Sequence, residues 1–135
     1  EKNPVYYIQY VHARMVSILR KADAFAATPP APLLRKEGRL GGEAAELEHK
    51  SELSLIKFLL RWPEVIEDTA KDYQVQRVTS YAYELATVFN QFYRDCRVIS
   101  DDRNLTNARL RLVITVQNTL REVLGALGIS APEKM

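Results

Sequence analysis

Between residues 76 and 95 apolar side chains recur at steps of three and four, through Val78, Tyr81, Ala82, Leu85, Phe89 and Phe92. A helix turns about 100° per residue, so this spacing puts all six on one face and predicts a central core helix. Every other segment with a clear period has the same one. Asn3-Pro4 reads as a helix start, because the Asn side chain can accept an orphan amide hydrogen bond and the proline φ suits the first helical position. The first helix is expected over residues 4 to about 27, where Thr28-Pro29-Pro30-Ala31-Pro32 removes amide donors and forces extended geometry. An exposed, aperiodic loop is expected to follow as far as Gly42, with Arg35, Lys36 and Arg39 as candidate phosphate contacts.

A second helix is expected over about 43–61, carrying Leu47, Leu55, Ile56, Leu59 and Leu60 behind an acidic first part that suits a helix N-terminus. Pro63 restarts the chain as a short helix through Val65, Ile66 and Ala70, ending near Tyr73. After a polar connection at residues 101–104, a last helix is expected over about 106–127 through Leu110, Val113, Ile114, Leu120, Leu124 and Leu127, with Gly128 as its C-cap. No strand-like alternation competes, so the expected fold is an all-α bundle of about five helices. A chain of 135 residues is read as one domain, residues 1–135, long enough to bury a core without disulfide staples.

Several function classes drop out on composition. Cys96 is the sole cysteine and cannot form an internal bridge, and His12 and His49 are too far apart in sequence to suggest a zinc site. The best apolar run, residues 53–60, is interrupted by Lys57 and is far short of the roughly 18 residues of a spanning helix. Nothing at the start reads as a signal peptide, which makes the cytoplasm the expected compartment. Asn104-Leu105-Thr106 matches a glycosylation sequon but reads as a loop asparagine and threonine near a helix start. A glycine-rich phosphate loop, a nucleophile paired with histidine, and the H-E-x-x-H and C-x-x-C patterns are all missing, so no catalytic residue is assigned. Net charge is only +2, yet residues 1–42 hold seven basic against three acidic side chains, residues 43–75 four against eight, and residues 76–135 eight against six. Two basic ends meeting in space would attract a polyanion; a solvated mixed surface is the other reading.

The first helix carries the most unusual pattern. Tyr7, Tyr10, Arg14, Ser17 and Lys21 line one strip, beside an apolar strip of Ile8, Val11, Met15, Ile18, Leu19 and Ala22. Burying the apolar strip leaves two phenols and a guanidinium facing outward. Aromatic faces stack on unpaired bases and cations hold phosphates or base edges, the usual means of gripping single-stranded RNA. Tyrosines that merely edge the core are the alternative. On or just after the fourth helix, Asn90, Tyr93 and Arg97 form a second candidate cluster, since Asn donates and accepts at a base edge and Tyr stacks. Polar packing between helices would explain the same residues. Arg109 and Arg111 read first as solvated charges, with RNA contact as the alternative.

Asn3-Pro4-Val5-Tyr6-Tyr7-Ile8-Gln9-Tyr10-Val11-His12-Ala13-Arg14, Phe89-Asn90-x-Phe92-Tyr93, Ala108-Arg109-Leu110 and the closing Leu127-Gly128-Ile129-x-Ala131-Pro132-Glu133-Lys134-Met135 together resemble the C-terminal, DALR-type anticodon-binding domain of arginyl-tRNA synthetases. The likeness spans nearly the whole chain, in the family's order. It implies a part of a class I arginine–tRNA ligase, in which ATP activates arginine before its transfer to the terminal adenosine of the tRNA. The HIGH-like and KMSKS-like signatures of the catalytic domain are not in this sequence. The resemblance therefore implies a tRNA-reading fragment with no cofactor of its own, ATP and Mg belonging to the absent catalytic domain. The implied partners are the anticodon loop of tRNA(Arg) and that catalytic domain, with no DNA or membrane partner, and the implied state is a monomer.

By the same resemblance Tyr7, Tyr10 and Arg14 match first-helix anticodon contacts, Tyr93 an aromatic contact after the core helix, and Met135 a terminal residue beside the loop. Asn90 and Arg109 match further family positions, whereas His12 fits the motif as a residue that orders helix packing. Two departures stand out: Glu122-Val123 where many relatives read N-G, and the proline-rich content of residues 28–42. The genetic code adds a physical demand. Arginine anticodons share a central cytosine, while the next base is G or U, so hydrogen bonds should serve the first position and stacking the second. A helical protein-interaction bundle that keeps the fold without binding RNA is the rival reading.

Overall fold

A computed structural model describes residues 4–26, 47 and 49–132. Its described residues form five helices: α1 (Pro4–Ala26), α2 (Lys50–Leu59), α3 (Trp62–Asp72), α4 (Gln76–Asp95) and α5 (Arg103–Ala126). The architecture is the all-α bundle that the periodicity predicts. As expected, α4 is its axis and packs on each of the other four helices. Phe89, Phe92, Leu85, Ala82 and Ala86 on α4 have no exposed surface, and they meet Ile8, Val11 and Met15 of α1, Leu55 of α2 and Val113, Val116, Leu120 and Leu124 of α5 in one apolar cluster. Full burial of each large side chain contributes about 1.5–3 kcal/mol. Tyr81 joins the cluster at its edge, stacked on Phe58 at 4.7 Å and donating its hydroxyl to the Phe58 carbonyl at 2.8 Å. Burial pushes its phenol up to about 12.

Helix starts differ from the pattern-based expectation for a local reason. Leu47 and His49 are not helical, and α2 begins at Lys50 rather than near residue 43. His49 is its N-cap: the His49 Nδ1 accepts from the Ser51 amide at 3.0 Å, and Glu52 Oε1 accepts from the His49 amide at 2.9 Å. This reciprocal pair is a capping box with histidine in the role usually filled by serine or threonine. The last helix starts at Arg103, three residues earlier than expected, because Asp102 accepts from the Leu105 amide and caps it there. Thr106 is buried, its hydroxyl accepting from the Ser100 amide at 2.8 Å and donating to the Ser100 carbonyl at 3.2 Å.

The short helix also turns a different face inward. α3 buries Val65 and Thr69, with the Thr69 hydroxyl donating back to the Val65 carbonyl, while Ile66 and Ala70 are exposed. Leu60, expected on the apolar face of α2, lies at its C-cap and is 74% exposed. The Glu122-Val123 departure is absorbed without disruption: Val123 is fully buried, and Glu122 accepts from the Trp62 indole at 3.1 Å.

Beyond α5, Gly128 at φ 74 turns the chain back, a conformation that glycine adopts at no steric penalty. The tail then runs along α1. Gln9 Nε2 donates to the Ser130 carbonyl at 3.0 Å, and the buried His12 places Nδ1 2.9 Å from the Pro132 carbonyl oxygen, which accepts. His12 thus orders packing, as expected. Residues 28–42, with their expected loop, and Met135 lie outside the described residues.

Candidate nucleic-acid interface

The Pro4 start and the apolar strip of α1 fix which way its tyrosines point. With Ile8, Val11 and Met15 sealed in the core, the strip about a quarter-turn away must lie at the surface. Tyr10 is 44% exposed, and Tyr7 is partly buried against α4. On α4, the inward aim of Phe89 and Phe92 sets Asn90 and Tyr93 at the rim facing α1. Pairings between the helices advance together in number, from Tyr7 with Tyr83 to Arg14 with Tyr93, so α1 and α4 run the same way across this face.

Asn90 is the hinge pin of the cluster. Its Oδ1 accepts from Arg14 Nη1 at 3.0 Å, and its Nδ2 donates to the Tyr7 hydroxyl at 3.0 Å. The amide thus spends one acceptor and one donor site on its neighbours, which holds them in place, and it retains a second lone pair and a second N–H. Arg14 is fixed from three directions. Its guanidinium carbon lies 5.5 Å from the Tyr10 ring centre and 5.0 Å from that of Tyr93, close enough for cation–π attraction. Tyr93 in turn stacks on the buried Phe89 at 6.2 Å and 14° between planes, leaving 37% of the residue exposed. A planar cation between two open rings can stack on a base or hold a phosphate, and its geometry is set before any ligand arrives.

Five of the seven site residues expected from the sequence, Tyr7, Tyr10, Arg14, Asn90 and Tyr93, therefore converge. Arg109 does not join them. Its Nε donates to Glu52, its Nη1 donates to the Arg97 carbonyl at 2.7 Å, and the pair is largely withdrawn from water, with side-chain exposures of 12% and 1%. Here the guanidinium ties the start of α5 to α2 and to the chain just after α4. One further member, Tyr83, was not singled out by the pattern. It is 47% exposed, with its ring 5.1 Å from that of Tyr7. The period of α4 could have found it, since Tyr83 stands seven residues before Asn90 on the same strip.

Against known proteins, residues 8–135 match the family model described as the DALR anticodon binding domain. The chain belongs to this family. Members of similar sequence include the arginine–tRNA ligases of Moorella thermoacetica, 45% identical over 134 residues, and Symbiobacterium thermophilum, 44% identical over 133. Each alignment takes in 98% of this chain, and the chain spans only 22% and 23% of those two relatives. The arginyl-tRNA synthetase structure from Thermus thermophilus superposes with a TM-score of 0.73 at 33% identity, over 96% of this chain and 21% of that one. Within this DALR domain the opening and closing sequence motifs are in direct contact, through Gln9 with Ser130 and His12 with Pro132.

Proposed function

We propose that this DALR domain binds the anticodon loop of tRNA(Arg) and positions the tRNA for ATP-dependent aminoacylation by a catalytic domain outside this chain. The observation that carries the reading is the Arg14 guanidinium held between the open rings of Tyr10 and Tyr93. Stacking on Tyr10 and Tyr93 suits the lenient anticodon position, because every base has a π-face. Arg14 suits the stringent one. One of its five N–H donors is given to Asn90, and those remaining match the adjacent acceptors, O2 and N3, on the edge of cytosine. Uracil carries a donor at N3 and would oppose the same group. In this scheme Tyr7 and Asn90 act as positioning residues, Arg109 stabilises the fold, and Met135 contributes beside the loop.

The domain itself is proposed to need no cofactor, with ATP and Mg serving the catalytic domain, and to act as a monomer in the cytoplasm. Among the described residues no helix is long and apolar enough to cross a membrane. The relatives compared are named as arginine–tRNA ligases, which gives the rival protein-interaction bundle no support. The test is a titration of the chain with tRNA(Arg), and with the same tRNA altered at the middle anticodon base, each at two salt concentrations. Affinity that falls with salt and with loss of the cytosine supports the proposal. Equal affinity for both tRNAs would overturn it.

A further inference from the structure

Tyr83 extends the aromatic face beyond the residues assigned to the anticodon. Seven residues separate it from Asn90, about 10 Å along the helix axis, so the open surface continues by roughly two turns toward the start of α4. The ring does not float. It packs on Tyr7 at 45° between planes, and Tyr7 is in turn fixed by Asn90. Thr87, one turn on, donates its hydroxyl to the Tyr83 carbonyl at 3.0 Å and sits 3.5 Å from the Tyr7 hydroxyl. A chain of contacts thus links Tyr83 through Tyr7 and Asn90 to Arg14, although nearly half of Tyr83 faces water. A large ring held still at the surface gives contact area at little further loss of side-chain freedom.

We infer that Tyr83 carries an additional base of the same RNA strand, flanking those on Tyr10 and Tyr93; this rests on the RNA-binding reading above. Continuity with that face favours a nucleotide over a separate protein partner. The footprint of the domain is then longer than the three anticodon bases, and the added contact is made by stacking and is indifferent to base identity.

The experiment uses an anticodon-arm hairpin of tRNA(Arg), intact and with a single abasic site at each loop and flanking position. Each is titrated against the parent chain and its Tyr83→Ala, Tyr83→Phe, Tyr10→Ala and Tyr7→Leu variants. Tyr83→Ala is expected to weaken binding of the intact hairpin about fivefold or more, the low end for loss of one base–aromatic stack, while Tyr83→Phe binds as the parent does. One abasic hairpin should bind parent and Tyr83→Ala equally, and its abasic position should differ from the one that masks Tyr10→Ala. Unchanged affinity in Tyr83→Ala, beside weakened binding in Tyr10→Ala, overturns the inference and leaves the anticodon reading standing. A loss masked by the same abasic position as that of Tyr7→Leu also overturns it, because Tyr83 would then only buttress Tyr7. A parent chain that ignores the hairpin overturns both.

Discussion

The guanidinium carbon of Arg14 on α1 lies 5.0 Å from the centre of the Tyr93 ring on α4, so a single cation spans the two helices that build the open aromatic face. Lysine would keep the charge and lose the flat stack and the forked donors. Arg14→Lys is therefore expected to lower affinity for tRNA(Arg) by about 1–2 kcal/mol, within the range of a desolvated cation–π contact, with helix content unchanged. Filter binding and far-ultraviolet circular dichroism would check the two halves. Parent-like affinity in the lysine variant would show that only charge matters at this position.

Asn90 joins Tyr7 to Arg14 through its two amide atoms. Removing both bonds in Asn90→Ala should lower folding stability by about 1–2 kcal/mol, because the partners are only part-buried and can turn to water. RNA affinity should fall as well, since Arg14 loses one of the three groups that fix it. Urea unfolding and tRNA titration on the same preparation compare the effects. A variant less stable than the parent yet equal in affinity would remove Asn90 from the site.

Arg109 and Glu52 form an ion pair with almost no water around the carboxylate. Stripping one partner leaves an uncompensated buried charge, so Arg109→Ala should destabilise the chain by about 3–5 kcal/mol. At a temperature where the variant is folded, its tRNA affinity should match the parent. Weakened binding with unaltered stability would instead return Arg109 to the RNA contacts.

The turn between α3 and α4 has an acid-sensitive clasp. Arg77 donates to both Asp72 carboxylate oxygens, at 2.9 and 2.7 Å, and together with the Gln74 amide it lowers the Asp72 carboxyl from 3.8 to about 2. A folded value below the unfolded one means the contribution is complete above about pH 4 and is lost as pH falls through about 2. The pair lies at the surface, with 44% of the Asp72 side chain exposed, so the effect on stability is small and is best read directly. A carbon-13 titration of the carboxyl should show a midpoint well below that of an unpaired aspartate, and Arg77→Ala should restore the ordinary value. A midpoint unmoved by that change would show that the clasp does not set it.

The tail is pinned to α1 by Gln9 and His12. His12→Ala opens space in a fully buried position and removes the bond to Pro132, so exchange of the Ile129 amide, which donates to the Leu124 carbonyl at 2.8 Å where the tail leaves α5, should quicken well before the core amides respond. Unchanged exchange at Ile129 would mean that His12 does not hold the tail.

Legibility followed the range of the forces involved. The face of α4 could be read directly because burial repeats every turn over twenty residues. The start of α2 could not, since the acidic run at 43–48 suits a helix by composition while the stop is set by one imidazole at His49 capping the Ser51 amide. Tyr7, Tyr10 and Arg14 were legible as a stripe because all three ride on one helix. The task of Asn90 was not, for it depends on partners 76 and 83 residues away on α1. Nor was the partner of Arg109, since Glu52 lies 57 residues earlier and becomes its neighbour only when α5 docks on α2.

α1 is engaged on three sides: Ile8, Val11 and Met15 in the core, Gln9 and His12 on the tail, and Tyr7, Tyr10 and Arg14 at the open face. A rod gripped in this way cannot roll about its long axis without tearing every grip at once. The aim of the aromatic face is consequently indexed to the bundle interior, and a ligand there presses against the stiffness of the whole fold rather than that of one surface helix.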